Sequence, residues 1–155
     1  MKILKYLMIT LILTSYINAK DLSPSFSLVA SGGVTDLVLK EDKLFASTVA
    51  SSVDIFNIKT KERIDSIKLP KIKNFTGDII DSKIYSVDVL RDNILILSQG
   101  ENGGRNMDIY KNGKMEKIIE DKNRMFIARA KFLDENHIIY ALLSNQIYLY
   151  DIKNK

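Results

Sequence analysis

Short apolar runs separated by polar turns recur along the chain after residue 33. Three stretches share an alternating segment, a polar turn and a second apolar segment: VTDLVLKEDKLFAST (34–48), IYSVDVLRDNILILS (84–98) and IARAKFLDENHIIYALL (127–143). A third segment with an apolar-aromatic pair follows each of them. Runs this short, rich in β-branched and aromatic residues and bounded by turn residues, predict strands rather than helices.

The spacing of these units indicates a repeat architecture. The aromatic residues Phe56, Tyr110 and Tyr150 lie 54 and 40 positions apart, which brackets a β-propeller blade of about 40 to 50 residues. We therefore predict an all-β chain, a partial (open) β-propeller of about three four-stranded antiparallel blades in repeats 34–69, 84–120 and 127–155. The predicted strands are 35–40, 44–48, 52–57 and 63–68, then 84–90, 94–98, 107–111 and 115–119, and finally 129–133, 138–143 and 146–151.

Two further segments belong to this prediction. Residues 26–30 could add one more strand, and residues 70–82 form a longer connection between the first two blades. We expect folding to depend on ten apolar and aromatic residues: Leu37, Leu44, Ile55, Phe56, Ile94, Ile96, Tyr110, Ile138, Tyr148 and Tyr150.

Three blades are too few for a closed ring. A closed propeller needs at least four blades, because each blade buries its faces against two neighbours, and the end units of a repeat array normally carry polar caps. Phe132, Tyr140 and Tyr150 do not form such a cap. We expect a truncated piece of a longer protein, or several copies that close the ring together. A self-contained β-sandwich is the structural alternative.

The first nineteen residues, MKILKYLMITLILTSYINA, have the parts of a Sec-type signal peptide. Lys2 and Lys5 precede an apolar core, which we expect to form a signal helix, and the small Ala19 offers a cleavage site. The core is shorter than the ~20 residues of a membrane-spanning helix. We therefore expect a periplasmic protein whose mature domain is residues 20–155. An uncleaved signal that anchors the chain is the alternative.

Composition narrows the function classes. The mature segment keeps 21 basic and 19 acidic residues, a formal charge of +2, without a block of like charges. Neither nucleic acid nor a membrane surface is indicated as a partner. The sequence has no cysteine, which excludes a disulfide framework and thiolate chemistry.

The glycine-rich stretch SQGENGGRN (98–106) is the most distinctive local feature. A phosphate-binding loop would need Lys and Ser or Thr after its last glycine, followed by a helix. Arg105 and Asn106 stand there instead, and a strand is predicted next. We interpret the segment as a long hairpin connection whose glycines supply positive φ angles. Its length suits a partner-contact loop, for which the candidate residues are Gln99, Glu101, Asn102, Arg105 and Asn106.

Other candidate sites have weak support. His137 is the only histidine and lies in the polar turn DENH, so a zinc site would need carboxylates from elsewhere. Asp78 and Asp81 are too sparse for a calcium loop. The basic residues between Lys59 and Lys73 are mixed with Glu62 and Pro70, which is typical of a solvated edge. We predict no catalytic, cofactor-binding or metal-binding residues.

The signal, the segments VDIFNIKTKERIDSIKLP, LILSQGENGGRNMDIY and IYLYDIKNK, and the blade pattern resemble the WD-repeat-like periplasmic propellers of the NapL type. The Gly-His and Trp-Asp pairs of true WD repeats are absent. The resemblance implies a non-enzymatic accessory to periplasmic nitrate reduction, with the nitrate reductase or its maturation components as protein partner. Open blade edges could also allow self-association. The alternatives are a fragment of a propeller-type quinone-dependent dehydrogenase and a truncated, non-functional remnant.

Overall fold

The computed structural model describes residues 23–154, so the expected signal helix at residues 1–19 lies outside the described residues. The described part is almost entirely antiparallel β-sheet, in three main sheets and one small hairpin. Blade 1 contains β1 (Val34–Lys40), β2 (Lys43–Thr48), β3 (Ser52–Asn57) and β4 (Glu62–Lys68). The hairpin is β5 (Ile72–Lys73) and β6 (Ile79–Ile80). Blade 2 contains β7 (Ile84–Leu90), β8 (Asn93–Gln99), β9 (Arg105–Lys111) and β10 (Lys114–Ile119), and blade 3 contains β11 (Ile127–Phe132), β12 (His137–Leu142) and β13 (Ile147–Asp151).

Each blade is a simple meander in which consecutive strands pair. The three predicted aromatic anchors occupy one position of this meander, because Phe56, Tyr110 and Tyr150 each pair with the second residue of the preceding strand. Turn chemistry explains the tight connections. The β9–β10 turn is Asn112-Gly113 with φ of 50° and 77°, the two positive values that a type I′ hairpin turn requires.

The blades stack through their faces and bury two apolar clusters. One cluster joins blades 1 and 2 and contains Phe45, Val53, Ile55, Ile67, Ile84, Val87, Ile94 and Ile96. The other joins blades 2 and 3 and contains Leu95, Leu97, Met107, Ile109, Ile119, Ile127, Ala130, Ile138 and Tyr140. Blade 2 therefore packs against a neighbour on both of its faces, which explains the continuous apolar run Ile94–Leu97 in its strand β8.

Polar bonds between the first strands of the blades reinforce this stacking. The carboxylate of Asp36 accepts a hydrogen bond from the backbone N–H of Val87 at 3.2 Å. In the next interface, Asp88 accepts one from the N–H of Phe132 at 2.7 Å. Lys131 lies 3.7 Å from both carboxylates. Each interface thus pairs an acid of one blade with the backbone of the next.

Some expectations differ from the structure. Residues 26–30 form no strand, and the 70–82 connection contains the two-stranded hairpin β5–β6. Of the ten expected core residues, Leu37 and Tyr148 are exposed. Leu37 is exposed because no blade covers that side of blade 1 among the described residues. Tyr148 instead stacks on Tyr140, with ring centroids 5.3 Å apart.

Candidate functional site

The SQGENGGRN segment connects β8 to β9, which pair as antiparallel neighbours. It contains a 3₁₀ helix at Glu101–Gly103, where Asn102 also lies, and Arg105 begins a strand rather than a helix. The segment is therefore a strand connection, and its geometry is not that of a phosphate-binding loop. Only Gly103 has a positive φ, 78°.

Gly100 and Gly104 are required by close packing rather than by φ. A Cβ on Gly104 would lie 2.7 Å from the backbone oxygen of Asp121, closer than side-chain carbons approach. Asp121 is also held by Asn106, whose side-chain oxygen accepts the N–H of Asp121 at 3.0 Å. The loop therefore rests on a second 3₁₀ helix at Asp121–Asn123.

The five candidate residues of this loop are not equally available to a partner. Glu101 is exposed, whereas Gln99 is half-buried and its backbone is tied to Lys83 and Ser82. The guanidinium of Arg105 bonds to Gly103 and Gly104 oxygens at 3.0 and 3.1 Å. It also lies 3.9 Å from the centre of the Tyr85 ring, a cation–π geometry. Arg105 therefore braces the loop, and a partner role for the loop stays a prediction.

The two outer faces of the stack carry a larger feature. We call the side of a blade that faces the preceding blade its leading face, and the other side its trailing face. On the leading face of blade 2, Val87 is fully buried, whereas its equivalent in blade 1, Leu37, is 54% exposed. On the trailing face of blade 2, Ile109 is 7% exposed, whereas its equivalent in blade 3, Leu149, is 59% exposed.

The same contrast holds across both outer faces. The exposed residues of the blade 1 leading face are Val34, Leu37 and Leu39, and those of the blade 3 trailing face are Ile139, Ile147 and Leu149. Isolated exposed apolar residues are ordinary, but contiguous apolar faces mark contact surfaces. Inside the stack, the trailing face of one blade packs against the leading face of the next at both interfaces. An exposed leading face therefore matches a trailing face, and an exposed trailing face matches a leading face.

Two buried aspartates occupy one repeat position, in the segments VDIF and MDIY. Asp54 is fully buried, and its carboxylate accepts hydrogen bonds from the backbone N–H and hydroxyl of Ser31 at 2.5 and 3.0 Å and from the Ser66 hydroxyl at 2.8 Å. Arg63 lies 3.6 Å away. Burial alone would raise the pKa of Asp54, but these donors outweigh it and lower the pKa.

Asp108 has the opposite environment. It is 4% exposed, and its Oδ1 atom has no hydrogen-bond partner in the described structure. Burial raises its pKa to about 6; the charge of Lys117 opposes this rise and that of Glu120 adds to it. Sequence reasoning singled out neither aspartate. The available signal was an acid between apolar residues of a predicted buried strand.

Comparison with solved structures supports the architecture. The chain is similar to the β-propeller domain of Cps50 (Swd1) from Myceliophteria thermophila, with a TM-score of 0.58 and 19% identity, over 83% of this chain and 38% of that one. The fold is an open, partial β-propeller. At this identity the similarity shows the fold alone, and it confirms the predicted fold class.

Comparison with curated protein sequences found a similarity that covers part of this chain. A BTB/POZ domain-containing protein of Acanthamoeba polyphaga mimivirus is 35% identical over 105 residues, which is 66% of this chain and 19% of that protein. The chain thus spans about a fifth of that relative's length. It matches no protein-family model.

The remaining predicted sites have simple local structures. His137 is half-buried at the start of β12, with its Nδ1 atom 2.9 Å from both carboxylate oxygens of Asp134 in the preceding turn. Within residues 23–154 of the propeller, no three His, Cys, Asp or Glu side chains are grouped to hold a metal ion. No helix in that range is long and apolar enough to cross a membrane.

Proposed function

We propose that this protein is a non-enzymatic scaffold that makes protein–protein contacts through the outer faces of its blade stack. One observation supports this most strongly: positions that are buried inside the stack, such as Val87 and Ile109, are exposed at its ends as Leu37 and Leu149. These ends are apolar, and rigid sheets hold them in place. They offer area for a partner at little cost in ordering flexible segments.

The two ends are complementary to each other. The trailing face of blade 3 is equivalent to the trailing face of blade 2, which packs against blade 3. The leading face of blade 1 is equivalent to the leading face of blade 2, which packs against blade 1. A second copy of the chain could therefore dock head to tail, as a heterologous contact that closes into a ring or extends. We propose this self-association as the contact that the geometry favours.

Two further parts of the proposal, the cellular compartment and a second protein partner, are supported by the sequence alone. The signal-like segment at residues 1–19 supports a periplasmic location, and the NapL-type resemblance supports a component of periplasmic nitrate reduction as a partner. A copy-to-copy contact and a contact with such a component would use the same apolar faces.

Light scattering on the purified mature chain tests this proposal. We expect association that increases with concentration and that Leu37→Glu or Leu149→Glu abolishes, because each places a charge in the contact. The control is Lys153→Glu, which changes an exposed residue outside both faces. A wild-type chain that stays monomeric at every concentration, or association that both face variants retain, would contradict the proposed self-association.

A further inference from the structure

A cavity of about 450 Å³ lies between blades 1 and 2. Its apolar lining includes Ile67 and Leu69 from blade 1 and the segment after it, and Tyr110 and Met115 from blade 2. Its volume falls in the range of about 300 to 1,000 Å³ that is typical of ligand pockets. The buried carboxylate of Asp108 is part of the lining.

Polar groups converge on the blade 2 wall of this cavity. Ser98 and Asn106 line it together with Asp108. An apolar cavity with a few polar groups of this kind is the usual form of a binding site. The Oδ1 atom of Asp108 has no hydrogen-bond donor in the described structure, and burying an acceptor without a donor destabilises the fold.

In blade 1, the equivalent aspartate, Asp54, receives its hydrogen bonds from other residues of this chain. There a single serine, Ser31, donates both its backbone N–H and its hydroxyl to the two oxygens of Asp54. An equivalent backbone hydrogen bond aligns the two blades: Gly33 accepts the N–H of Val49 at 2.9 Å, and Lys83 accepts that of Gln99 at 2.8 Å. Two residues before these acceptors, Asp81 of blade 2 therefore takes the place of Ser31. The side chain of Asp81 pairs with Lys71 at 3.6 Å, so the serine hydroxyl that serves Asp54 has no equivalent at this position.

The other two groups that stabilise the Asp54 carboxylate, the hydrogen-bond donor Ser66 and the ion-pair partner Arg63, are replaced as well. By strand register, Lys117 stands opposite Asp108 where Ser66 stands opposite Asp54. Met115 takes the place of Arg63 by the same register. No donor that serves Asp54 therefore has a hydrogen-bonded counterpart at Asp108.

We propose that this cavity binds a peptide segment whose serine or threonine presents its N–H and hydroxyl to Asp108, as Ser31 does to Asp54. Lys68 and Lys117 also line the cavity, and their positive charges disfavour an ammonium ligand. A neutral N–H and O–H pair is therefore favoured over a free amino alcohol. The site is separate from the outer blade faces, so it is independent of the contact proposed above.

Nuclear magnetic resonance titration of the isotope-labelled mature chain tests this site. The probes are the acetylated and amidated peptide Val-Ala-Ser-Gly-Gly, which copies residues 29–33, the same peptide with alanine in place of serine, and ethanolamine. We expect the serine peptide to shift the amide signals of Ser98, Asn106 and Asp108. The alanine peptide should bind at least about tenfold more weakly, because one hydrogen bond to a charged group is lost. Ethanolamine should bind more weakly than the serine peptide.

Variants separate this site from other binding modes. Asp108→Ala removes the acceptor, and Asp108→Asn keeps its shape without the charge; we expect both to weaken the serine peptide. Asp92→Asn makes the same charge change at an exposed turn outside the cavity, and it should leave binding unchanged. No binding of the serine peptide, shifts confined to blade 1, equal binding of both peptides, or undiminished binding by the Asp108 variants would overturn the proposal. Stronger binding of ethanolamine would overturn the peptide assignment.

Discussion

Replacing Asp108 by asparagine should reveal the cost of an unsatisfied buried carboxylate. The folded chain raises the pKa of Asp108 from 3.8 to about 6. Between those pH values the native state holds a proton that the unfolded state has lost, so the carboxylate destabilises the fold increasingly as pH rises. Above about pH 6 the full penalty applies, and a shift from 3.8 to about 6 corresponds to about 3 kcal/mol.

Urea unfolding of the wild type and of Asp108→Asn at about pH 4 and about pH 8 measures this penalty. The difference in unfolding free energy between the two chains should move in favour of the variant by about 2–3 kcal/mol over that range. Comparing the two pH values cancels the effect of the amide on packing. Lys117 and Glu120, the charges that act on Asp108, are present in both chains.

Asp54→Asn is the matched control, because it makes the same change at the same repeat position. The pKa of Asp54 is lowered in the fold, so its charge stabilises the native state above the unfolded pKa of 3.8, and this stability is lost as pH falls through the lower folded pKa. This variant should lose about 1–3 kcal/mol near neutral pH. If both variants respond to pH in the same direction, the contrast drawn between the two environments is wrong.

Three other predictions follow from the contacts. Asp88→Ala should lower the unfolding free energy by about 1–3 kcal/mol, since the N–H of Phe132 loses its acceptor, while Asp92→Ala at an exposed turn should be nearly neutral in the same urea assay. Gly104→Ala should destabilise the chain by more than about 1 kcal/mol because the new Cβ meets the backbone of Asp121; a neutral result in thermal melting would refute that packing. Leu149→Glu should leave the melting temperature of the monomer nearly unchanged, because this side chain is exposed, and a large drop would mean that the trailing face is covered within the chain.

The strands were predictable because local pattern and tertiary burial agree in this fold. Blade 2 is the clearest case: Ile94 to Leu97 form a continuous apolar run, and both faces of that strand are buried. The same pattern of apolar runs and polar turns predicted the antiparallel strands of each blade and the strand connection at SQGENGGRN. The hairpin at residues 72–80 was missed because its strands have two residues each, too few for a period to show.

The hydrogen bonding of the buried aspartates could not be predicted from their local sequence. Asp54 and Asp108 stand in nearly identical local sequences, VDIF and MDIY, yet one is fully hydrogen-bonded and the other has an unbonded oxygen. The difference comes from Ser31 and Ser66, the donors to Asp54, which lie 23 and 12 residues away from it in sequence. The exposure of Leu37 likewise depends on the absence of a covering blade among the described residues, a property of the stack and not of the strand.

Methyl nuclear Overhauser effects between isoleucine side chains test the central claim most directly. That claim is that residues 23–154 form a stack of three blades whose two outer faces they leave uncovered. In a monomeric sample the stack predicts contacts between Ile55 or Ile67 of blade 1 and Ile84 or Ile96 of blade 2, which share one cluster. It predicts no contact between Ile147 of blade 3 and any residue of blade 1. Contacts of Ile147 with blade 1 inside a single molecule would show a closed sandwich and would contradict the account.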